Sequence, residues 1–510
     1  MWRMGRKFGT VLSVISMTVE VFSAMFLTPF LIRSLGQAEY GVYSLVLSLV
    51  TYLALLDMGV GNSVVRFVSK YKVNEDEIGQ RKFLGIITVY YAVIFVVILL
   101  IGVVFIEVFP VAFAQGLSSD EIVLAQKLLS ITVLSIAITI GTSGFYHTTI
   151  AYEKFFVSKG VTIIVSVFRI ILEFILLLNG ARSIEIVLVN LVCTIVIRGT
   201  SVLYVLFRLK IIPTLQKVNF SQIKEIVSFS VFIMLQMVAT QINNVADQML
   251  IGAFVQASSV ILAVYAVGSH ICQYVQKFGD AINSVVMPGV VAMVERGAKS
   301  KDLQQEMVRI GRLNFMFVAL IWCVFLAFGQ DFVILWAGEA NAQAYWVALI
   351  LTLPHVIIIT ENIGVKILWA KEKHKIQAVL KISVVLMNLV LTVILIKWNA
   401  LLGATIGTFI SLMLGDIVVL QVVFKKDIGI SITGYYSGLL KGIFPSLVLA
   451  TAIGLLFKLV GLSGWFGFAV NCAVMTVSYG IFMLMFGLNK YEKNLIFGTV
   501  GKVFKKIKTK

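Results

Sequence analysis

Apolar runs of about 20 residues succeed one another along the whole of this 510-residue chain, parted only by short charged segments such as SKYKVNEDEIGQRK (Ser69 to Lys82). A run of that length crosses a hydrocarbon core about 30 Å thick when it is helical. Lipid gives the backbone no hydrogen-bond partners, so each run has to satisfy its own N–H and C=O groups. Helices do this, and the period-two alternation of a barrel strand is absent. The predicted fold class is therefore an all-α integral membrane protein. Residues that are 59% hydrophobic and only 13% charged exclude a water-soluble globular fold, and no run of polar chain is long enough for a soluble catalytic domain.

Fourteen spans are predicted, at about 10–32, 41–62, 83–109, 125–149, 156–178, 184–207, 225–254, 258–290, 311–336, 343–369, 376–397, 400–424, 438–460 and 465–488. The basic residues orient them. With the N-terminus inside, about 34 Lys and Arg fall on inner segments and five (Arg33, Lys127, Arg182, Lys397 and Lys458) on outer loops, so both ends are expected in the cytosol. The net charge of +17 then belongs to loops facing anionic headgroups, together with the tail KVFKKIKTK (Lys502 to Lys510), and nucleic acid is not expected as a partner. Cys193, Cys272, Cys323 and Cys472 stand singly in apolar segments, without metal-ligand spacing, and read as core residues. The first apolar run holds Glu20 and lacks a cleavage site, so it reads as a retained helix.

The chain repeats itself. FLIRSLGQAEYGVYSLVLS precedes LLDMGVGNSVV in the first half, and QMLIGAFVQASSVILAVYAVGS precedes KFGDAINSVV in the second. Ile32 aligns with Ile251, Tyr43 with Tyr265 and Asn62 with Asn283, at offsets of 219, 222 and 221 residues. Six spans separate the copies, so the halves enter the membrane in the same direction. Such parallel repeats predict two six-helix lobes (1–210 and 211–430) around a central cavity, with two added helices and a basic tail (431–510). This is transporter architecture, and no enzymatic activity is expected.

The stretches LGQAEYGVYSLVLSLVTYLALLDMGVGNSVVRFVSKY (Leu35 to Tyr71), TIAYEKF (Thr149 to Phe155) and DQMLIGAFV with AVYAVGS and NSVVMP (Asp247 to Pro288) resemble the polysaccharide exporters of the multidrug/oligosaccharidyl-lipid/polysaccharide superfamily. The resemblance implies a flippase that moves an undecaprenyl-diphosphate-linked oligosaccharide, an O-antigen or capsule repeat unit, from the cytosolic to the outer leaflet of a bacterial or archaeal plasma membrane. It implies a cationic cavity for the sugar, a lipid tail left in the bilayer, and polymerase and assembly proteins as partners; the chain itself is expected to be a monomer. LIRSLG around Arg33 is similar to an arginine-bearing stretch of lipid II flippases, but the arginine-rich pattern of their second helix is not matched.

An ionisable group at bilayer depth costs roughly 2.5 to 3.5 kcal/mol, so each one faces a cavity or a partner. Arg169 and Glu173, four apart, either neutralise each other or offer Arg169 to substrate. Arg198 has no acid at helical spacing and is the first candidate for the diphosphate, because a guanidinium grips phosphate oxygens in pairs. Lys277, three residues from Asp280, is another, as are Arg33, at the outer mouth or, if Pro29 bends the first helix inward, on the cavity wall, and Arg66 at the cytosolic edge. Tyr265 is a candidate sugar-stacking ring. Asp247, Glu20, Glu361 and Asp416 are candidates for a coupling sodium ion or proton, Asp247 having Asn243, Asn244 and Gln248 beside it. No bound cofactor or metal is expected. The competing functions are a multidrug cation extruder of the same superfamily, a lipid II flippase, and a membrane-embedded polysaccharide polymerase or ligase.

Overall fold

The computed structural model describes residues 18, 19, 22, 23, 25–57, 59–214, 238–243, 245–371, 373–489 and 491–494. These residues form helices and connecting turns, with no strand among them. The helices are α1 (Met25–Leu35), α2 (Gln37–Thr51), α3 (Val60–Val73), α4 (Glu77–Ala112), α5 (Ser119–Gly141), α6 (Ser143–Ala151), α7 (Val161–Leu178), α8 (Ser183–Leu203), α9 (Val245–Phe254) and α10 (Ser259–Glu295). They continue as α11 (Ser300–Ala337), α12 (Ala344–Ala370), α13 (His374–Ile396), α14 (Ala400–Ser411), α15 (Leu420–Val423), α16 (Ile432–Leu440), α17 (Ile443–Lys458) and α18 (Gly464–Phe482). Ten helical stretches among the described residues are long and apolar enough to cross a membrane, and α16 with α17, bent by 43°, makes an eleventh. The predicted spans 10–32 and 225–254 lie only in part within the described residues, and Glu20 lies outside them.

Local chemistry starts these helices where polar side chains can take the orphan N–H groups. Asp76 accepts from the Gly79 amide at 2.7 Å to open α4, and Ser118 and Glu121 form a capping box that opens α5. Besides the bend between α16 and α17, two predicted spans are not continuous helices. The span at 41–62 stops at Thr51, passes through a tight 3₁₀ turn (Leu53–Asp57), and resumes after Gly59, whose φ of 69° a side chain would resist. The span at 125–149 is interrupted at Thr142, whose hydroxyl donates back to the Ile138 carbonyl at 2.7 Å.

The chain packs as two compact units, one holding residues 1–266 with 375–411, the other residues 267–374 with 412–510. In the first, α5 packs on α2, α4 and α8, while α7 lies along α8. Gly41 of α2 meets the first turn of α10 so closely that a Cβ there would stand 1.9 Å from the Ser259 carbonyl oxygen. In the second, α11 packs along α12 and against α16 to α18. Asn283, from the second copy of the repeat, is buried there. Its amide donates to the Ile359 carbonyl at 3.2 Å, and its oxygen accepts from Asn314 at 2.7 Å, tying α10 to α11 and α12.

The second unit also holds a buried guanidinium. Arg312, counted among inner basic residues in the charge distribution, lies inside α11 and forms a two-pronged ion pair with Glu492 at 2.6 and 3.1 Å. Its remaining N–H groups donate to the carbonyls of Gly438 and Lys441, beside the bend between α16 and α17, and to Gly487, beyond α18. Those carbonyls are the acceptors that a helix end leaves without partners, and a cation there is favoured by the helix dipole as well.

Candidate functional site in the first unit

Two polar stripes run along α7 and α8. On α7, Thr162, Ser166, Arg169 and Glu173 recur at spacings of four, three and four; on α8, Asn190, Thr194 and Arg198 recur every four. The opposite faces are apolar and exposed (Ile164, Phe168, Ile171 and Ile175 on α7; Leu188, Val192 and Ile195 on α8), as lipid contact requires. Between the stripes lies a cavity of about 260 Å³ lined by Thr162, Ser166, Arg169, Asn190, Cys193 and Thr194.

Arg169 and Glu173 do not pair directly. The Asn190 amide stands between them: its oxygen accepts from an Arg169 guanidinium nitrogen at 2.6 Å, and its nitrogen donates to Glu173 at 3.1 Å and to the Ile186 carbonyl at 2.9 Å. Arg169 Nε and the second oxygen of Glu173 are buried without a hydrogen-bond partner among the described residues. The local charge is thus balanced through an amide, and hydrogen-bonding capacity is left over.

One turn further along α8, the guanidinium of Arg198 lies 4.5 Å from the ring centre of Tyr146, a residue of α6. Lys159, in a wide π-helical turn ahead of α7, approaches the same ring at 6.0 Å. The negative face of the phenol ring favours both cations. Arg198 Nη1 is buried without a hydrogen-bond partner, and no acid among the described residues forms an ion pair with this guanidinium. Asp57 is the acid whose charge reaches it, but one Asp57 oxygen accepts from the Tyr91 hydroxyl at 2.9 Å. His147, next to Tyr146, rests on Gly61 so closely that a Cβ on Gly61 would stand 2.1 Å from His147 Nε2. Arg198, Lys159, Tyr146 and His147 therefore form a cationic, aromatic cluster at the end of the α7–α8 cavity.

A second group of opposite sign surrounds Asp247 in α9. This carboxylate is buried and accepts from the hydroxyls of Tyr265, Thr392 (3.2 Å) and Thr408 (2.5 Å). Thr392 and Thr408 also reach the Asn388 side-chain oxygen, at 2.9 and 3.1 Å, and the Asn388 amide donates to the Asn243 oxygen at 2.9 Å. Each threonine has one proton and two acceptors within reach, so this knot has more oxygen lone pairs than protons to fill them. No cationic side chain among the described residues bonds to Asp247. Such an oxygen-rich set suits a hard cation.

The remaining candidates are dispersed. Tyr265 is buried with its hydroxyl on Asp247, and Glu361 and Asp416 are buried together in the second unit, Tyr436 donating to Glu361. Lys277 is half-buried on α10, and the cation that acts on Asp280 is Lys366 of α12, which lies 4.0 Å from the Trp369 ring centre. Arg33 ends α1 on an exposed face, and Arg66 is exposed on α3, 5.9 Å from the Phe67 ring. Asn244 is outside the described residues. Sequence reading passed over Tyr146, Lys159, Asn190, Asn388, Thr392 and Thr408. The signal for Asn190, Asn388 and Thr392 was there, in amides and hydroxyls at spacings of four within otherwise apolar runs; that for Tyr146 and Lys159 was not, because helix packing brings them to Arg198.

Known proteins place this architecture. A lipid II flippase, MurJ, in an inward closed conformation matches over 96% of this chain and 99% of its own, with a TM-score of 0.67 and 16% identity. A multidrug resistance MATE family transporter of the MOP superfamily, in an inward-facing conformation, matches over 79% and 96%, with a TM-score of 0.65 and 12% identity. The MATE multidrug transporter DinF-BH, in complex with R6G, matches over 82% and 95%, at 0.58 and 14%. At these identities the likeness is one of fold. No curated protein matches the sequence. The model of the family described as polysaccharide biosynthesis protein matches residues 7–294, more than half of the chain, and this protein belongs to that family.

Proposed function

We propose that this protein moves an undecaprenyl-diphosphate-linked oligosaccharide from the cytosolic to the outer leaflet of a prokaryotic plasma membrane by alternating access, using a cation bound at Asp247 as the coupling ion. The observation that carries this reading is Arg198, a guanidinium within a membrane-spanning helix, held against Tyr146 with Nη1 unpartnered and Lys159 on the same ring. A buried cation without an ion-pair partner is costly in lipid and is offset when an anion arrives. A diphosphate supplies that anion in a shape that a guanidinium binds through two parallel hydrogen bonds. Membership of the polysaccharide biosynthesis family supports a glycan on that carrier.

The Asp247 knot fits the complementary task. Cation binding would neutralise one buried carboxylate and draw in the Asn388 and threonine oxygens, tightening α9 onto α13 and α14. Sodium or a proton would each do this, and Asp247 with three hydroxyls is the same acceptor for both. A cation extruder would place acids where Arg198 and Lys159 stand, so the sign of the α6–α8 cluster disfavours it.

The test is leaflet-resolved detection of the lipid-linked oligosaccharide in cells depleted of the native protein and supplied with wild type or Arg198→Gln at equal level. The variant should leave the oligosaccharide in the inner leaflet. Normal outer-leaflet delivery by Arg198→Gln would remove Arg198 from the reading. A normal lipid distribution in depleted cells, with new sensitivity to cationic drugs, would replace the reading with the extruder.

A further inference from the structure

We infer that the cavity between α7 and α8 is a sugar subsite that receives the carrier-proximal part of the oligosaccharide when the diphosphate is at Arg198. The inference rests on the diphosphate reading above and deepens it. The cavity lies in line with the phosphate cluster, since Lys159 precedes Thr162 by three residues and Thr194 precedes Arg198 by four, each about one helical turn. Asn190, at its far end, is eight residues from Arg198, or about 12 Å along the helix axis. A diphosphate at Arg198 would then hold its first sugars within reach of this cavity, with the lipid tail leaving away from it.

Its chemistry suits hydroxyl groups. The lining sets the polar side chains of Thr162, Ser166, Thr194, Asn190 and Arg169 beside the apolar Val165 and Ile197, the mixture of hydroxyl partners and C–H contact that a sugar ring offers. Part of that capacity is spent: the Thr162 hydroxyl donates to the Ser158 carbonyl at 2.9 Å, and Thr194 accepts from Ser135 at 3.1 Å. Arg169 Nε remains unpartnered, and buried polar atoms in that state call for a ligand group. The one cation is bridged to Glu173 through Asn190, so the cavity has no strong bias toward anions. A neutral polyhydroxylated ring meets this lining better than a second phosphate or a lipid chain would.

Cys193 lines the cavity and provides its own reporter. In the full chain with Cys272→Ala, Cys323→Ala and Cys472→Ala, the sole thiol is labelled with a small neutral methanethiosulfonate and followed by intact mass. Two probes are compared, bare undecaprenyl diphosphate and the lipid-linked oligosaccharide extracted from the producing cells, with binding of each measured by native mass spectrometry. The oligosaccharide should slow labelling roughly tenfold or more, and the bare carrier less than about twofold. Ser166→Leu, which fills the cavity, should keep bare-carrier binding at Arg198 and lose glycan export. Equal protection by the two probes, no protection by a bound oligosaccharide, a thiol that never reacts, or normal export by Ser166→Leu would each overturn the sugar subsite while leaving the diphosphate reading intact. Failure of both probes to bind would overturn the diphosphate reading itself.

Discussion

Arg312 and Glu492 form a bidentate ion pair in which both side chains are buried, and the same guanidinium closes the carbonyls left open at the α16–α17 bend and beyond α18. Truncating either partner leaves a charge without its counterion in a low-dielectric setting. Arg312→Ala or Glu492→Ala should therefore lower stability by about 3–5 kcal/mol. Thermal unfolding in detergent, followed by monodisperse recovery, would show it. The double variant Arg312→Met, Glu492→Leu should be less destabilised than the two single losses combined, because no charge is then stranded, although the freed carbonyls prevent full recovery.

Arg198→Lys separates charge from shape. The ammonium keeps the positive charge near Tyr146 but loses the planar fork that holds two phosphate oxygens. Arg198→Gln should weaken undecaprenyl diphosphate binding by about 10- to 100-fold, in line with roughly 1.5–3 kcal/mol for a hydrogen bond to a charged group. Arg198→Lys should fall between that variant and the wild type. Native mass spectrometry across carrier concentrations measures the order of the three.

Asp247→Asn should abolish the dependence of transport on an imposed cation gradient in proteoliposomes while the protein remains folded, because the amide oxygen can still accept from Tyr265 and Thr408 while its NH2 donates to the Thr392 hydroxyl. Thr408→Val, which keeps the carboxylate but removes one oxygen, should raise the cation concentration for half-maximal transport several-fold. Imposing sodium and proton gradients separately identifies the ion. Unaltered gradient dependence in Asp247→Asn would move coupling elsewhere, with Glu361 and Asp416 of the second unit next in line.

Gly41→Ala adds a methyl group where a backbone carbonyl, Ser259 O, would lie 1.9 Å away, and backbone cannot rotate aside as a side chain can. A cost of roughly 1–3 kcal/mol or more is expected, seen as reduced folded yield. Gly61→Ala meets the His147 ring instead, and its loss of stability should be relieved by His147→Ala.

Much of the architecture was legible in the chain, and for one reason. Lipid forbids unsatisfied backbone, so every apolar run near Phe83 to Phe109 or Val161 to Leu178 has a single structural outcome, and its length can be read directly. The breaks were not legible in the same way. Thr142 and the stretch from Tyr52 to Gly59 are as apolar on average as their neighbours, so hydropathy registers neither the break at Thr142 nor the left-handed turn at Gly59.

The sequence by itself determined an all-helical membrane protein, the charged residues that have to be accounted for at bilayer depth, and the repeated landmarks around Tyr43 and Tyr265. Only tertiary structure decided their partners: that Asn190 stands between Arg169 and Glu173, that Tyr146 and Lys159 come to Arg198 from other helices, and that Tyr265 serves Asp247. The physical reason is that hydropathy and spacing along one helix set which face a side chain occupies. What that face meets depends on how helices distant in the chain pack, and no local pattern encodes it.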